Sequence, residues 1–172
     1  MGVGCTSTRR LFLHSSIAPS FLASLTAAYT STLTRVGDPL LHSTLIGPLH
    51  NADGVAKFEQ AIKEIETQGG KILVGGKVRK MDVGSGFEGG NWVEPTIAVF
   101  EDSRKAEVMR RETFAPSQSC PLCFFGRYDG DADDTDEVAN LVLFVSTFET
   151  LEEAIELNNS VDQGLSSSLF TR

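Results

Sequence analysis

Short apolar runs alternate along this chain with segments of helical periodicity, and the alternation limits the folds open to it. Residues 52–67 show the helical pattern most clearly, because their apolar side chains recur every three or four positions. These side chains are Val55, Phe58, Ile62 and Ile65. The pattern stops at Gly69-Gly70, and residues 71–74 follow as a short apolar run typical of a strand. A helix that leads into a strand is a building unit of α/β folds.

Other segments continue the alternation. A helix is predicted from Pro19 to about Leu33, a shorter one over residues 102–109, and a third from Thr150, where Thr150 and Glu153 have capping-box spacing. Further strands are predicted over residues 92–100, 142–148 and 166–170, and an apolar, β-leaning run begins at Leu11. The sequence therefore predicts an α/β fold with a mostly parallel sheet flanked by helices.

Composition and charge exclude several classes of function. The chain has 172 residues, enough for one domain with its own core, and a formal charge of −8 argues against a nucleic-acid partner. No apolar run approaches the roughly 20 residues that span a bilayer, so no membrane partner is expected. Three cysteines, an odd number, favour a reducing compartment such as the cytoplasm.

The charge is unevenly distributed. The first 37 residues carry +3, and the remainder carries −11, from 12 basic and 23 acidic residues. A basic segment rich in Ser and Thr is also typical of a mitochondrial transit peptide, so a mitochondrial location is the alternative. Residues 1–6 fit the N-myristoylation pattern as well, with Cys5 placed for palmitoylation.

Cys5 is the one residue in a setting that suggests a nucleophile. Small hydroxyl residues follow it, and then the apolar run begins, as if the thiol stood at a helical turn that leads into a strand. Unpaired N–H groups at such a turn favour the reactive thiolate. Without further context, a lone cysteine is more often a buried, inert thiol.

The run Cys-Thr-Ser-Thr-Arg-Arg-Leu-Phe-Leu-His-Ser-Ser-Ile, residues 5–17, resembles the segment around the catalytic cysteine of NAD(P)-dependent aldehyde dehydrogenases. The similarity is greatest to the antiquitin-like branch, which oxidises aminoadipate semialdehyde. It continues in family order through residues 47–50, 69–77, 91–97, 112–116 and 163–171. The resemblance implies NAD as cofactor and a small-molecule aldehyde as substrate.

The resemblance also implies roles for individual residues. Cys5 would attack the aldehyde to form a thiohemiacetal, which gives up hydride and is then hydrolysed as a thioester. Glu112 would accept hydrogen bonds from the nicotinamide ribose, and Phe114 would pack near the nicotinamide. Gly4 stands where the antiquitin-like branch has a basic residue that holds the substrate's distal carboxylate. The substrate is therefore less well defined than the reaction.

Residues 1–172 resemble only part of a catalytic domain. The cofactor-binding domain, a general-base glutamate and an oxyanion-hole asparagine of the family would precede Met1, and the oligomerisation segments would follow Arg172. General-base catalysis alone contributes roughly 10² to 10⁴ in rate. We therefore expect the isolated chain to be nearly inactive. An alternative is a non-catalytic module that associates with full-length homologues through the unsatisfied edge of its sheet, and a homo-oligomer is a further alternative.

Residues 117–141 depart from the family pattern and are expected to form an irregular, disordered insertion. Cys120 and Cys123 form a Cys-x-x-Cys pair there, so a thiol or metal protein is a further alternative, although no second pair accompanies it. Residues 129–137 are dense in carboxylates but lack the spacing of a calcium loop. No metal site is assigned.

Overall fold

The computed structural model of the chain describes residues 8–81, 90–110, 142–162 and 164–171, together with the backbone of two short segments, 114–115 and 139–140. Among these residues, no helix combines the length and the apolarity that a bilayer span requires.

A four-stranded sheet forms the centre of the fold. Its strands are β1 (Arg10–His14), β2 (Lys71–Val74), β5 (Thr96–Phe100) and β8 (Val142–Phe148), in the order β1-β8-β5-β2. β8 runs parallel to both β1 and β5, and β2 is antiparallel to β5. Two small two-stranded antiparallel sheets accompany it, formed by β3 (Val78–Arg79) with β4 (Trp92–Val93), and by β6 (Phe114–Ala115) with β7 (Ala139–Asn140). The predicted mostly parallel α/β sheet is confirmed.

Two helices cover opposite faces of the sheet. α1 (Ala18–Leu33) packs on the face that carries Ile97 and Val145, and α2 (Ala52–Thr67) packs on the face that carries Ala98 and Phe144. The two faces separate because neighbouring residues of a strand point to opposite sides. Phe144 and Ile97 are completely buried, so the helices cover both faces at the centre of the sheet.

The end of α2 is formed by its glycines. Gly69 has a φ of 83°, its N–H donates to the Glu66 carbonyl, and the Gly70 N–H donates to the Ile65 carbonyl at 2.7 Å. This pair of bonds is the Schellman arrangement, which uses a residue of positive φ to satisfy the last carbonyls of a helix. At its start, the Asn51 side chain accepts from the Gly54 N–H. The predicted helix over residues 52–67 is confirmed in both bounds.

The third helix also begins where its sequence predicts. α3 (Leu151–Asn158) has Thr150 as its N-cap, and the Thr150 hydroxyl accepts from the Glu153 N–H at 3.2 Å. The Glu153 carboxylate in turn accepts from the Glu149 N–H at 2.9 Å. The first bond satisfies an N–H that a helix start leaves unpaired, and the second holds the residue before the N-cap against the first turn.

Three predicted elements differ from the structure. The strand predicted over residues 92–100 is divided between β4 and β5, because Pro95 has no N–H to give to a ladder. The helix predicted over residues 102–109 is two 3-10 turns, Ser103–Lys105 and Glu107–Met109, separated by the completely buried Ala106. The strand predicted over residues 166–170 is wrong, since no described strand lies beside this segment to complete a ladder.

The region predicted to be an irregular insertion is described only at its end. Residues 139–140 form β7, which lies inside the predicted insertion, and residues 116–138 and 141 lie outside the described part of the chain. The strand predicted to follow it is present as β8 and occupies the interior of the sheet. The predicted disorder therefore stays a prediction.

Candidate functional site

The predicted site residues fall at the margins of the described structure. Cys5 and Glu112 lie outside the described residues. Phe114 is described by its backbone alone, as the first residue of β6, where it pairs with Asn140 of β7. The structure therefore locates the segments that flank these residues rather than their side chains.

These flanking segments meet at one end of the strands. β1 and β8 are parallel, so both begin at the same end of the sheet, and the Arg9 carbonyl accepts from the Phe144 N–H at 2.8 Å just before β1 starts. β7 ends at Asn140, two residues before Val142 opens β8. Arg9 and the β6–β7 pair, which contains the Phe114 backbone, thus lie at the same end of these strands.

The Arg9 side chain links the two segments directly. Its Nη2 donates to the Val108 carbonyl at 3.3 Å, and its guanidinium carbon lies 5.7 Å from the centre of the Phe144 ring. Arg9 follows Cys5 by four residues, and Val108 precedes Glu112 by four. Segments 99 residues apart in sequence are therefore joined by one contact, whose two residues each lie four positions along the chain from a predicted site residue.

Gln68 also binds the 3-10 turn that contains Val108. Its Oε1 accepts from the Val108 N–H at 2.9 Å, so both backbone groups of this buried residue are bonded to side chains. Sequence reasoning did not single out Gln68, which caps the end of α2. Its only signal is a polar residue immediately before Gly69-Gly70, and that signal does not identify its partner.

Arg10 fixes α3 against the start of β1. Its guanidinium donates to the carbonyls of Leu157 and Asn158, both at 3.0 Å, and packs over the ring of Phe12. Partial burial lowers the pKa of Arg10, but an arginine remains a cation at neutral pH. A cation at the carbonyl end of a helix interacts favourably with the helix dipole.

The alternatives based on metal or dithiol chemistry fall outside the described residues. Cys120, Cys123 and residues 129–137 all lie there. Within the described residues, no group of three or more His, Cys, Asp or Glu side chains could hold a metal ion. A surface cleft lies beside the loop after α1, lined by Thr34, Arg35, Asp38, Thr44 and Met81 among others, and it contains none of the predicted site residues.

Comparison with known proteins gives a consistent result. The sequence profile of the aldehyde dehydrogenase family matches residues 1–120. "Aldehyde dehydrogenase family 7 member A1" of Pisum sativum is 42% identical over 171 residues, which are 99% of this chain and 27% of that protein. "Alpha-aminoadipic semialdehyde dehydrogenase" of Mus musculus is 39% identical over 171 residues, covering 99% of this chain and 25% of that protein.

Solved structures also resemble the fold of this chain. PnpE in complex with nicotinamide adenine dinucleotide has a TM-score of 0.72 at 29% identity, over 95% of this chain and 27% of that one. 3,6-anhydro-L-galactose dehydrogenase in complex with NAP has a TM-score of 0.69 at 25% identity, over 92% and 27% of the two chains. This chain spans about a quarter of the length of the relatives that it matches.

Proposed function

This chain belongs to the aldehyde dehydrogenase family, and we propose that it supplies the nucleophile and the nicotinamide-contacting residues for NAD-dependent oxidation of an aldehyde to a carboxylate. Cys5 is the proposed nucleophile, and Glu112 and Phe114 are the proposed cofactor contacts. The observation that carries the proposal is the hydrogen bond from Arg9 to Val108, which joins the flank of Cys5 to the flank of Glu112.

The residue types suit the proposed reaction. In its thiolate form, Cys5 would attack the aldehyde carbon, and its own backbone N–H would stabilise the negative charge that develops on the oxygen. NAD, when bound, would accept the hydride. Water would then release the acid from the Cys5 thioester, with the Cys5 sulfur as leaving group.

The two proposed contact residues have the chemistry that a nicotinamide nucleoside requires. Glu112 and Phe114 are two residues apart, and in an extended chain such residues lie on the same face. A carboxylate accepts hydrogen bonds from a ribose diol, and an aromatic ring gives the adjoining base an apolar surface. Phe114 begins β6, so the proposed pair would approach the cofactor from the β6–β7 sheet.

Aminoadipate semialdehyde is the proposed substrate. The support is the similarity to the mouse protein named for that activity. Gly4, in place of a basic residue, removes one partner for the distal carboxylate of this substrate. We therefore propose that the chain discriminates less strongly than its relatives between aminoadipate semialdehyde and a simple aliphatic aldehyde.

The proposed compartment is the cytoplasm, with the mitochondrion as the alternative.

A chimaera tests the proposed function. The matching quarter of the Pisum sativum relative is replaced by this chain, and NADH formation is measured with both aldehydes. We expect turnover that Cys5→Ala abolishes and that Cys120→Ala, a matched loss of a thiol outside the proposed site, leaves unchanged. A folded chimaera that turns over equally well with Cys5→Ala would contradict the assignment of the nucleophile.

The isolated chain provides a second test, because thiol reactivity and turnover depend on different groups. Reactivity requires an accessible thiolate, whereas turnover also requires bound cofactor and a base that activates water, for which the sequence offers no assigned candidate. We propose that iodoacetamide labels Cys5 while the chain alone produces no NADH. Steady NADH formation by the isolated chain that is lost in Cys5→Ala would show that these 172 residues contain a complete site.

A further inference from the structure

The loop that follows α1, residues 35–46, is tied together at its two ends. Val36 and Ile46 form an isolated parallel bridge, and the Gly37 N–H donates to the Ile46 carbonyl at 2.9 Å. The indole N–H of Trp92, a completely buried side chain, donates to the Gly37 carbonyl at 3.0 Å. A loop fixed in this way holds its side chains in a preorganised arrangement, which lowers the entropy cost of binding a ligand.

This loop borders the cleft beside α1. The cleft has a volume of about 610 Å³, and small-molecule sites in proteins have volumes of about 300–1,000 Å³. Its lining includes one cation, Arg35, one anion, Asp38, and the apolar side chains of Leu41 and Met81. The cleft therefore has the size of a small-molecule site and offers both signs of charge beside an apolar surface.

The Arg35 guanidinium is held in place and still has donors for a ligand. Its Nε donates to the Ser43 carbonyl at 3.0 Å. Among the residues that the structure describes, Nη1 and Nη2 have no hydrogen-bond or ion-pair partner. A guanidinium binds a carboxylate through two parallel hydrogen bonds, and the hydroxyls of Ser43 and Thr44, which line the same cleft, can add further donors.

The Asp38 carboxylate is also fixed without being neutralised. Its Oδ1 accepts from the Leu40 N–H at 2.9 Å, which holds the side chain in an Asx turn. In the described part of the chain no cation pairs with it, so Arg35 and Asp38 line one cleft without forming an ion pair with each other. An ionised carboxylate has several acceptor sites, so Asp38 can still bind an ammonium group.

We propose that the cleft beside α1 binds a free α-amino acid with an aliphatic side chain. The carboxylate of the amino acid would accept hydrogen bonds from Arg35, and its ammonium group would donate to Asp38. Because these two side chains contribute no net charge, the best ligand is a zwitterion whose side chain is neutral and packs on Leu41 and Met81. The proposal is independent of the proposed catalytic function, since none of the predicted site residues lines this cleft.

Isothermal titration calorimetry of the full chain with L-leucine tests the proposal. Two analogues are the matched ligands: 4-methylpentanoate lacks only the amine, and 3-methylbutylamine lacks only the carboxylate. We expect L-leucine to bind roughly tenfold or more tightly than either analogue, because each analogue loses hydrogen bonds between charged groups. Equal binding of either analogue would overturn the proposal, and so would a dissociation constant for L-leucine weaker than about 10 mM.

Asp38→Asn tests the contact with the ammonium group. The amide oxygen of the variant can still accept from the Leu40 N–H, so the turn is kept while the charge is lost. Asp102→Asn is the matched control, because Asp102 Oδ1 accepts from the Arg104 N–H at 3.1 Å in the same kind of turn, outside the cleft. We expect roughly tenfold weaker binding of L-leucine by Asp38→Asn and unchanged binding by Asp102→Asn. Unchanged affinity in Asp38→Asn would contradict the proposed site.

Arg35→Gln tests the contact with the carboxylate. We expect this variant to bind L-leucine no more tightly than 3-methylbutylamine, because the fork that distinguishes them is gone. Trp92 is the only tryptophan in the sequence and bonds to the loop of the cleft, so its fluorescence reports whether each variant keeps the loop in place. If Arg35→Gln does not fold, Asp38→Asn and the two analogues decide the matter. A folded Arg35→Gln that keeps wild-type affinity for L-leucine would overturn the proposal.

Discussion

At the scale of single residues, buried charge contacts tie distant parts of the chain together. Arg79 of β3 donates through Nε to the Glu94 carboxylate at 2.9 Å and through Nη1 to the Leu33 carbonyl at 2.7 Å. The Glu94 side chain is only 11% exposed. One guanidinium therefore satisfies both a nearly buried carboxylate and a carbonyl in the last turn of α1, and it fixes the β3–β4 hairpin to that helix.

Arg79→Met should destabilise the chain by about 2–3 kcal/mol, because it leaves the Glu94 carboxylate buried without its partner. The double variant Arg79→Met/Glu94→Gln should recover part of that loss, since it removes the uncompensated charge. Urea unfolding measures both. Lys105→Met is the control, because the Lys105–Asp102 pair is largely exposed and should contribute no measurable stability. If the double variant lost as much stability as the sum of the losses in Arg79→Met and Glu94→Gln, the two side chains would not be coupled.

At the scale of elements, the close approach of helix α2 to the sheet depends on a glycine at the junction with β2. A Cβ on Gly70 would lie 2.5 Å from Cζ of Phe100 and 2.7 Å from Cγ2 of Ile65. Ile65 is completely buried and Phe100 almost so, so neither side chain has free space into which it can move. The last turn of α2 can pack this tightly on β5 only because Gly70 has no side chain.

Gly70→Ala should therefore destabilise the fold by about 1–3 kcal/mol, the usual cost of overpacking a filled core. The matched control is Gly164→Ala, where a Cβ would meet nothing within 4 Å. Thermal unfolding of the two variants should give a lower midpoint for Gly70→Ala alone. Equal midpoints would indicate that Phe100 repacks at little cost.

Local signals explain which elements could be predicted from the sequence. Residues 52–67 carry an apolar stripe, an Asn cap and a terminal glycine pair, and each signal acts within a few residues. By contrast, Pro95 interrupts an apolar run that otherwise reads as one strand, and Ala106, which tertiary packing buries completely, separates two turns. The 166–170 segment has strand-like composition, but a strand also requires a neighbour, which a local pattern cannot supply.

At the scale of the whole molecule, the parallel pairing of β1 and β8 brings segments that are distant in sequence to the same end of the sheet. Spacing in the sequence indicates nothing about the Arg9–Val108 contact, because it depends on how β1 and β8 pair. The resemblance assigned Cys5, Glu112 and Phe114, and these assignments remain predictions because their side chains lie outside the described structure. Only the convergence of their flanks could be observed.

The assigned contacts also limit cofactor affinity, because Glu112 and Phe114 would touch only the nicotinamide end of NAD. Residues 84–89 do have the spacing Gly-x-Gly-x-x-Gly, but they lead towards strand β4 rather than into the helix whose N-terminus a dinucleotide phosphate requires. We therefore expect the isolated chain to bind NAD more weakly than about 1 mM. At 1 mM NAD such a site would stabilise the fold by less than about 0.4 kcal/mol, so its melting temperature should not shift measurably. Calorimetric titration of the chain, with PnpE, which has been solved in complex with nicotinamide adenine dinucleotide, as positive control, measures the affinity directly. A micromolar dissociation constant would show that these residues form a phosphate site as well.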